Sequence, residues 1–218
     1  MLSSRNLSAL PAPDELERRC RALAVLEAIL CPEPRWRYYS FDAAFAPGAR
    51  AATMDSATGD GWLIWFSPRG VVIRGFDHES PVSPWRDEPV APWPGLFDGL
   101  PAKLRHGPRL EVDGVESVTF CLWWDRDDPG WRAGAVAQPD AEYADPDGSK
   151  WLLAELSGPA AYQTHAQEVH ERVVPLDAIE QVYGHQPLTE GLIRAVDPAA
   201  DTAVALATAR AVGYPVAA

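Results

Sequence analysis

Residues 61–81 read GWLIWFSPRGVVIRGFDHESP: two nearly unbroken apolar runs, Trp62 to Phe66 and Val71 to Phe76, on either side of a tight turn at Pro68, Arg69 and Gly70. Short runs rich in aromatic and β-branched residues read as strands, and the proline and glycine between them join antiparallel neighbours. Neither run alternates polar with apolar residues. Each therefore needs cover on both faces, which puts the pair near the middle of a sheet. The second run empties into Asp77, His78 and Glu79, an acidic, histidine-bearing loop at a strand end.

Similar runs lie on both sides. RWRYYSFDAAF (residues 35–45), SVTFCLWW (117–124) and WRAGAV (131–136) add strands, and Asp127, Asp128, Pro129 and Gly130 make a second hairpin turn. Short connections between consecutive strands predict an antiparallel sheet of about four to six strands. Before it, a helix starts at Pro13, where proline suits the first turn and Asp14, Glu15 and Glu17 complement the positive helix end. Its buried stripe is Leu16, Cys20, Leu23, Leu26 and Leu30, and Pro32 and Pro34 stop it. Residues 1–12 are expected to form a flexible tail.

After Asp147 and Gly148 the pattern turns helical again, through SKWLLAEL, residues 159–172, PLDAIEQVYG, LTEGLIRAV and PAADTAVALATARAVG. Asp197 with Pro198 reads as an N-cap and first turn, and Gly184 and Gly213 as stops. The fold expected is a single α+β domain over residues 1–218, with an N-terminal helix, a central antiparallel sheet and a C-terminal helical cluster.

The chain has 218 residues, 47% of them hydrophobic, enough for one proper core. Its 31 acidic and 19 basic residues give a formal net charge of −12, a field that repels phosphate backbones and anionic headgroups. That argues against nucleic acid and membrane surfaces and for a basic protein partner. Cys20, Cys31 and Cys121 show no metal-type spacing and read as core packing. No segment reaches the roughly 18 apolar residues of a membrane span, and the N-terminus does not read as a signal peptide, so a cytoplasmic location is expected.

Residues 80–101, SPVSPWRDEPVAPWPGLFDGLP, hold too many prolines for a strand or a long helix. A long irregular segment of this kind is either a functional loop or a stiffened cover on the sheet, anchored by Trp85 and Trp93. Asp77 and Glu79 are two apart on an extended segment, so they face the same side while His78 points away.

THAQEVHER (residues 164–172) places His165 and His170 five apart, about 140 degrees around a helix, which fits neither H-E-x-x-H nor H-x-x-E-H. The expected reading is a solvated face with a Glu168 to Arg172 pair. No G-x-S-x-G elbow, phosphate loop or complete calcium loop is present. Neither a metal nor a cofactor is expected.

RWRYYSFDAAF, GFDHESPVSPW, WPGLFDGLP and PLDAIEQVYGHQPLTEGLIRAV resemble a family of uncharacterised bacterial proteins over most of the chain. The resemblance implies a bacterial intracellular single domain and carries no activity or site residue with it. In acidity, size and α+β make-up around tryptophan-rich strands, the chain is also similar to immunity proteins that neutralise bacterial toxins.

The function expected is a non-enzymatic, immunity-like binding module for a basic protein. Its binding residues would be Asp77, His78, Glu79, Trp85, Asp87, Glu88 and Trp93. The alternative is a hydrolase or small-ligand binder with its site at the loop from Asp77 to Glu79. A pocket enclosing those carboxylates would favour the alternative, and a broad exposed patch the binding module.

Overall fold

A computed structural model describes residues 1–112, 114–136 and 144–217. Helix α1 (Pro13–Leu30) begins at the expected proline, with Asp14 and Glu15 in its first turn. Its buried surface is wider than one stripe, because every residue from Ala22 to Ile29 is buried, Glu27 included. The cause is a second layer of helices, which packs on the side of α1 that faces away from the sheet.

The sheet has six strands, all antiparallel: β1 (Tyr39–Ala46), β2 (Ala49–Asp55), β3 (Gly61–Ser67), β4 (Gly70–Phe76) and, after the small hairpin of β5 (Glu111–Val112) and β6 (Val115–Glu116), β7 (Phe120–Asp125) and β8 (Trp131–Ala133). Their order is β1-β2-β3-β4-β7-β8, so the two runs around Pro68 are the central pair. Ser67 faces Gly70 across the turn, its hydroxyl donating to Gly70 O at 2.9 Å and accepting from Arg69 N at 3.2 Å. Strand β2, ARAATMD, lacks aromatic and β-branched residues apart from Thr53, and its small Ala51 and Ala52 are buried. Pairing with β1 and β3, rather than intrinsic preference, makes it a strand.

Both faces of the sheet are covered, as the continuous apolar runs require. Trp62, Ile64, Phe66, Val71, Ile73, Phe120 and Leu122 point into the main core with α1 and the C-terminal helices. The alternate residues Val72, Cys121 and Trp123 face a smaller core closed by Leu96, Leu100, Leu104 and Val118. The proline-rich segment is thus a cover, but leucines anchor it instead of the two expected tryptophans: Trp85 is exposed and Trp93 only half-buried. Residues 94–99 form turns, and the short helix α2 (Ala102–Arg105) follows them. Gly75 carries no side chain where the Phe120 ring crosses β4; a Cβ there would lie 2.0 Å from the ring.

The C-terminal cluster comprises α3 (Ser149–Leu152), α4 (Pro159–Val169), α5 (Leu176–Tyr183), α6 (Glu190–Val196) and α7 (Thr202–Ala211). Helix α7 is capped by Asp201, which accepts from Ala203 N and Val204 N, and not by Asp197. Asp197 instead closes the end of α6 and accepts from Ala199 N at 2.8 Å, which leaves Pro198 in a turn outside the helix. Residues 1–12, expected as a tail, lie against the body: Leu2 and Leu10 are buried, and Pro11 O accepts from Trp131 Nε1 at 2.7 Å. Cys20, Cys31 and Cys121 are free thiols; burial pushes Cys121 up to about 12, so it is a packing group and not a nucleophile at neutral pH. No helix among the described residues is long and apolar enough to cross a membrane.

Candidate functional site: an exposed strand-end edge and a buried histidine cluster

Strand β4 ends at Phe76, and the next three residues turn on side chains from three other segments. Asp77 N donates to Thr119 Oγ1 at 3.2 Å, and Asp77 Oδ1 accepts from Glu79 N at 3.0 Å. Asp77 Oδ2 accepts from Trp151 Nε1 at 3.0 Å. Gly148 passes directly beneath; with a φ of +72° and only 2.5 Å between a notional Cβ and Asp77, that position requires glycine. The carboxylate of Asp77 is thereby committed to local amides and an indole.

His78 does not simply point away. Asp60, just before β3, receives both its backbone N–H at 2.8 Å and its ring Nδ1 at 2.6 Å, while Nε2 lies 3.8 Å from Glu79. Glu79 itself is exposed, so the expected convergence of Asp77 and Glu79 is replaced by a pairing of His78 with Asp60. The turn from Ser56 to Asp60 brings Asp60 beside the end of β4, because β3 and β4 are in register from Gly61 opposite Phe76.

The hydrogen bond to Asp60 raises His78 above its ordinary pKa of 6.5, against a smaller opposing effect of desolvation. Burial alone would raise Asp60, but the His78 amide and ring outweigh it and hold the carboxyl below 3.8. The pair thus stabilises the fold most fully between those two ordinary values. Its contribution is lost as pH rises through the raised pKa of His78, and as pH falls through the depressed pKa of Asp60. The His78 side chain is 46% exposed, so solvent screening keeps this contribution small. A proton NMR titration should place His78 above 6.5, and Asp60→Asn should bring it back down; a wild-type value at or below 6.5 would contradict the pairing.

Further along the segment, Trp85, Asp87 and Glu88 are exposed and Trp93 is half-buried. Ser83 caps a single turn, accepting from Trp85 N at 3.3 Å, and the Trp85 indole donates to Ser117 Oγ at 3.1 Å. The ring is therefore both exposed and fixed. Arg86 lies 4.1 Å above the Trp93 ring and pairs with Asp87 at 3.0 Å. Five well-formed clefts among the described residues are lined by groups other than Asp77 and Glu79.

The second cluster is internal. Glu27 of α1 is fully buried and faces His165 and His170 at the end of α4: its Oε1 lies 3.0 Å from His170 Nε2 and 3.3 Å from His165 Nε2. Tyr162 OH donates to the same oxygen at 3.0 Å, and Tyr38 N donates to Oε2 at 2.8 Å. Burial pushes the Glu27 carboxyl up, but the two histidines outweigh it and bring it down to about 2. The expected solvated face is thus corrected: His165 is buried, and Arg172 pairs with Asp197 at 3.6 Å rather than with Glu168. The helix ends at Val169 and Glu171 takes a φ of 54°, which carries Arg172 off the helical spacing.

Compared with protein-family models, with curated proteins and with solved structures, the chain matches none. Its chemistry must be read from these two clusters directly. The strand-end edge offers a fixed aromatic ring among exposed carboxylates. The internal cluster offers one carboxylate and two imidazoles, and Glu27 is the residue that sequence reasoning missed. A signal existed: Leu16, Cys20, Leu23, Glu27 and Leu30 recur at four and three residues, so a carboxylate stands within an otherwise apolar stripe.

Proposed function

We propose that this protein is a non-enzymatic, cytoplasmic binding module of the immunity-protein kind, which engages a basic protein through the edge that carries His78, Glu79, Trp85, Asp87 and Glu88. The observation that carries this reading is Trp85: a large apolar ring, 40% exposed, fixed by Ser117 and flanked by exposed carboxylates. A pre-positioned tryptophan loses little conformational freedom on docking and is a favoured anchor. Arg86 is the only lysine or arginine in residues 77–101, against Asp77, Glu79, Asp87, Glu88 and Asp98, and it is folded onto Trp93. The edge therefore complements a cationic surface, in line with the net charge of −12.

Partner capture followed by kinetics tests the reading. With the captured basic partner, association should slow as salt rises, since long-range attraction acts over a Debye length of about 8 to 10 Å in moderate salt. Trp85→Ala should raise the dissociation rate about tenfold or more while the melting temperature stays nearly unchanged. Asp87→Asn with Glu88→Gln should chiefly lower the association rate. Trp93→Ala should also cost folding stability, because its ring packs under Arg86. A partner whose affinity survives Trp85→Ala in a folded protein would remove this edge from the interface, and retention of no basic protein at all would count against the reading.

A further inference from the structure

We propose that Glu27, His165 and His170 bind one divalent transition-metal ion of the zinc type through Glu27 Oε1, His165 Nε2 and His170 Nε2. One ligand atom from each of the three residues lies within 4.8 Å of the other two, and the two Nε2 atoms are 3.3 and 3.0 Å from Glu27 Oε1. Tetrahedral zinc with bonds of about 2.0 to 2.1 Å holds its ligand atoms about 3.3 Å apart, so small side-chain adjustments seat an ion among them.

A second observation points the same way. His165 Nε2 is buried and faces Glu27 Oε1 at 3.3 Å, but no well-aligned hydrogen bond satisfies it. A polar nitrogen in that position is costly without a partner. On binding, each imidazole releases the Nε2 proton that faces Glu27 Oε1 and keeps one on Nδ1, so two nitrogen lone pairs converge beside the same carboxylate oxygen. A cation answers both lone pairs at once, and the buried carboxylate offsets part of its charge.

The surroundings resemble the outer partners of a metal site. Tyr38 N and Tyr162 OH hold the two Glu27 oxygens, and the rings of Tyr38, Tyr39 and Tyr162 lie 5.1 to 5.4 Å from the His165 ring, which restricts its rotation. Two nitrogens and one oxygen suit zinc and its neighbours and disfavour calcium and magnesium, which prefer oxygen ligands. Water would complete the coordination on the side of His170, whose side chain is slightly exposed. The ion would clip α1 to the end of α4 across 143 residues of sequence.

The strand-end group of Asp60, Asp77 and His78 also brings three ligand atoms together. It is the weaker candidate because it has a single imidazole, His78, which is exposed and already paired with Asp60 through Nδ1 at 2.6 Å. It serves as the internal rival in the test.

The full chain should be stripped with chelator, dialysed and titrated with zinc chloride against a chromophoric competitor, with cobalt(II) as a spectroscopic probe. One zinc per chain is expected, with a raised melting temperature and, for cobalt, an intense tetrahedral visible spectrum. NMR should show the rings of His165 and His170 shifted by zinc, and His78 unmoved. His170→Gln should weaken zinc by more than the roughly 10- to 100-fold that loss of an outer partner costs, whereas Asp60→Asn and His185→Gln should bind as wild type does. No stoichiometric zinc on the folded wild-type chain would overturn the proposal. So would binding that survives His170→Gln or is lost with Asp60→Asn. The wild-type titration and ring shifts decide the matter even if a variant fails to fold.

Discussion

Glu27→Leu is expected to lower the melting temperature of the chelator-treated protein by about 6 to 20 °C. Glu27 accepts hydrogens from Tyr38 N and Tyr162 OH and pairs with His170, all in or at the edge of the core. Leucine fills a similar volume and accepts nothing, so a buried hydroxyl, a backbone amide and the His170 imidazole lose their partner together. Removing one member of a buried charged set costs about 3–5 kcal/mol, and each kcal/mol is worth about 2–4 °C in a chain of this size. Glu180→Leu, on the exposed face of α5, should stay within about 0.5 kcal/mol of wild type. Thermal unfolding of the two variants side by side checks this. Equal melting temperatures would mean that the Glu27 network contributes no net stability.

Trp62→Ala should cost a similar amount by a different route. The Trp62 side chain is fully buried at the centre of the main core, packs its ring 5.9 Å from that of Tyr39, and donates from Nε1 to Leu152 O at 2.7 Å. Truncation leaves a cavity between sheet and helices and orphans the Leu152 carbonyl, which otherwise tethers α3 to β3. Large aromatic-to-alanine changes in cores cost about 3–5 kcal/mol. The denaturant midpoint should fall with little change in slope. By contrast Trp85→Ala, with its ring half in solvent, should hardly move it. A Trp62→Ala protein as stable as wild type would show that the helical layer collapses onto the sheet and closes the cavity.

Much of the architecture was legible because it rests on local and pairwise physics. The apolar runs around the tight turn at Pro68, Arg69 and Gly70 demanded cover on both sides, and they became the central strands β3 and β4, with Gly70 already in β4. Pro13 and the acidic residues after it fixed the start of α1. The elements that escaped are those whose preference comes from neighbours. Strand β2 is mostly small residues and exists through its two partners. The cap of α7 moved to Asp201 because Asp197 was already closing α6.

For the candidate sites the division is sharper. Residue order alone gave the class of fold, the acidic field and the segment that carries Trp85, since composition, periodicity and proline content act on each position where it stands. It could not give the partner of His78, which is Asp60 brought across the register of β3 and β4. Nor could it give the meeting of Glu27 with His165 and His170. Helical spacing describes which residues of one helix share a face, and it sets the two histidines apart; the third group arrives on α1, positioned by the packing of that helix between the sheet and the C-terminal layer. Burial then turned three ordinary surface residue types into a closed polar cluster, because a carboxylate removed from water must find its hydrogen-bond donors within the fold.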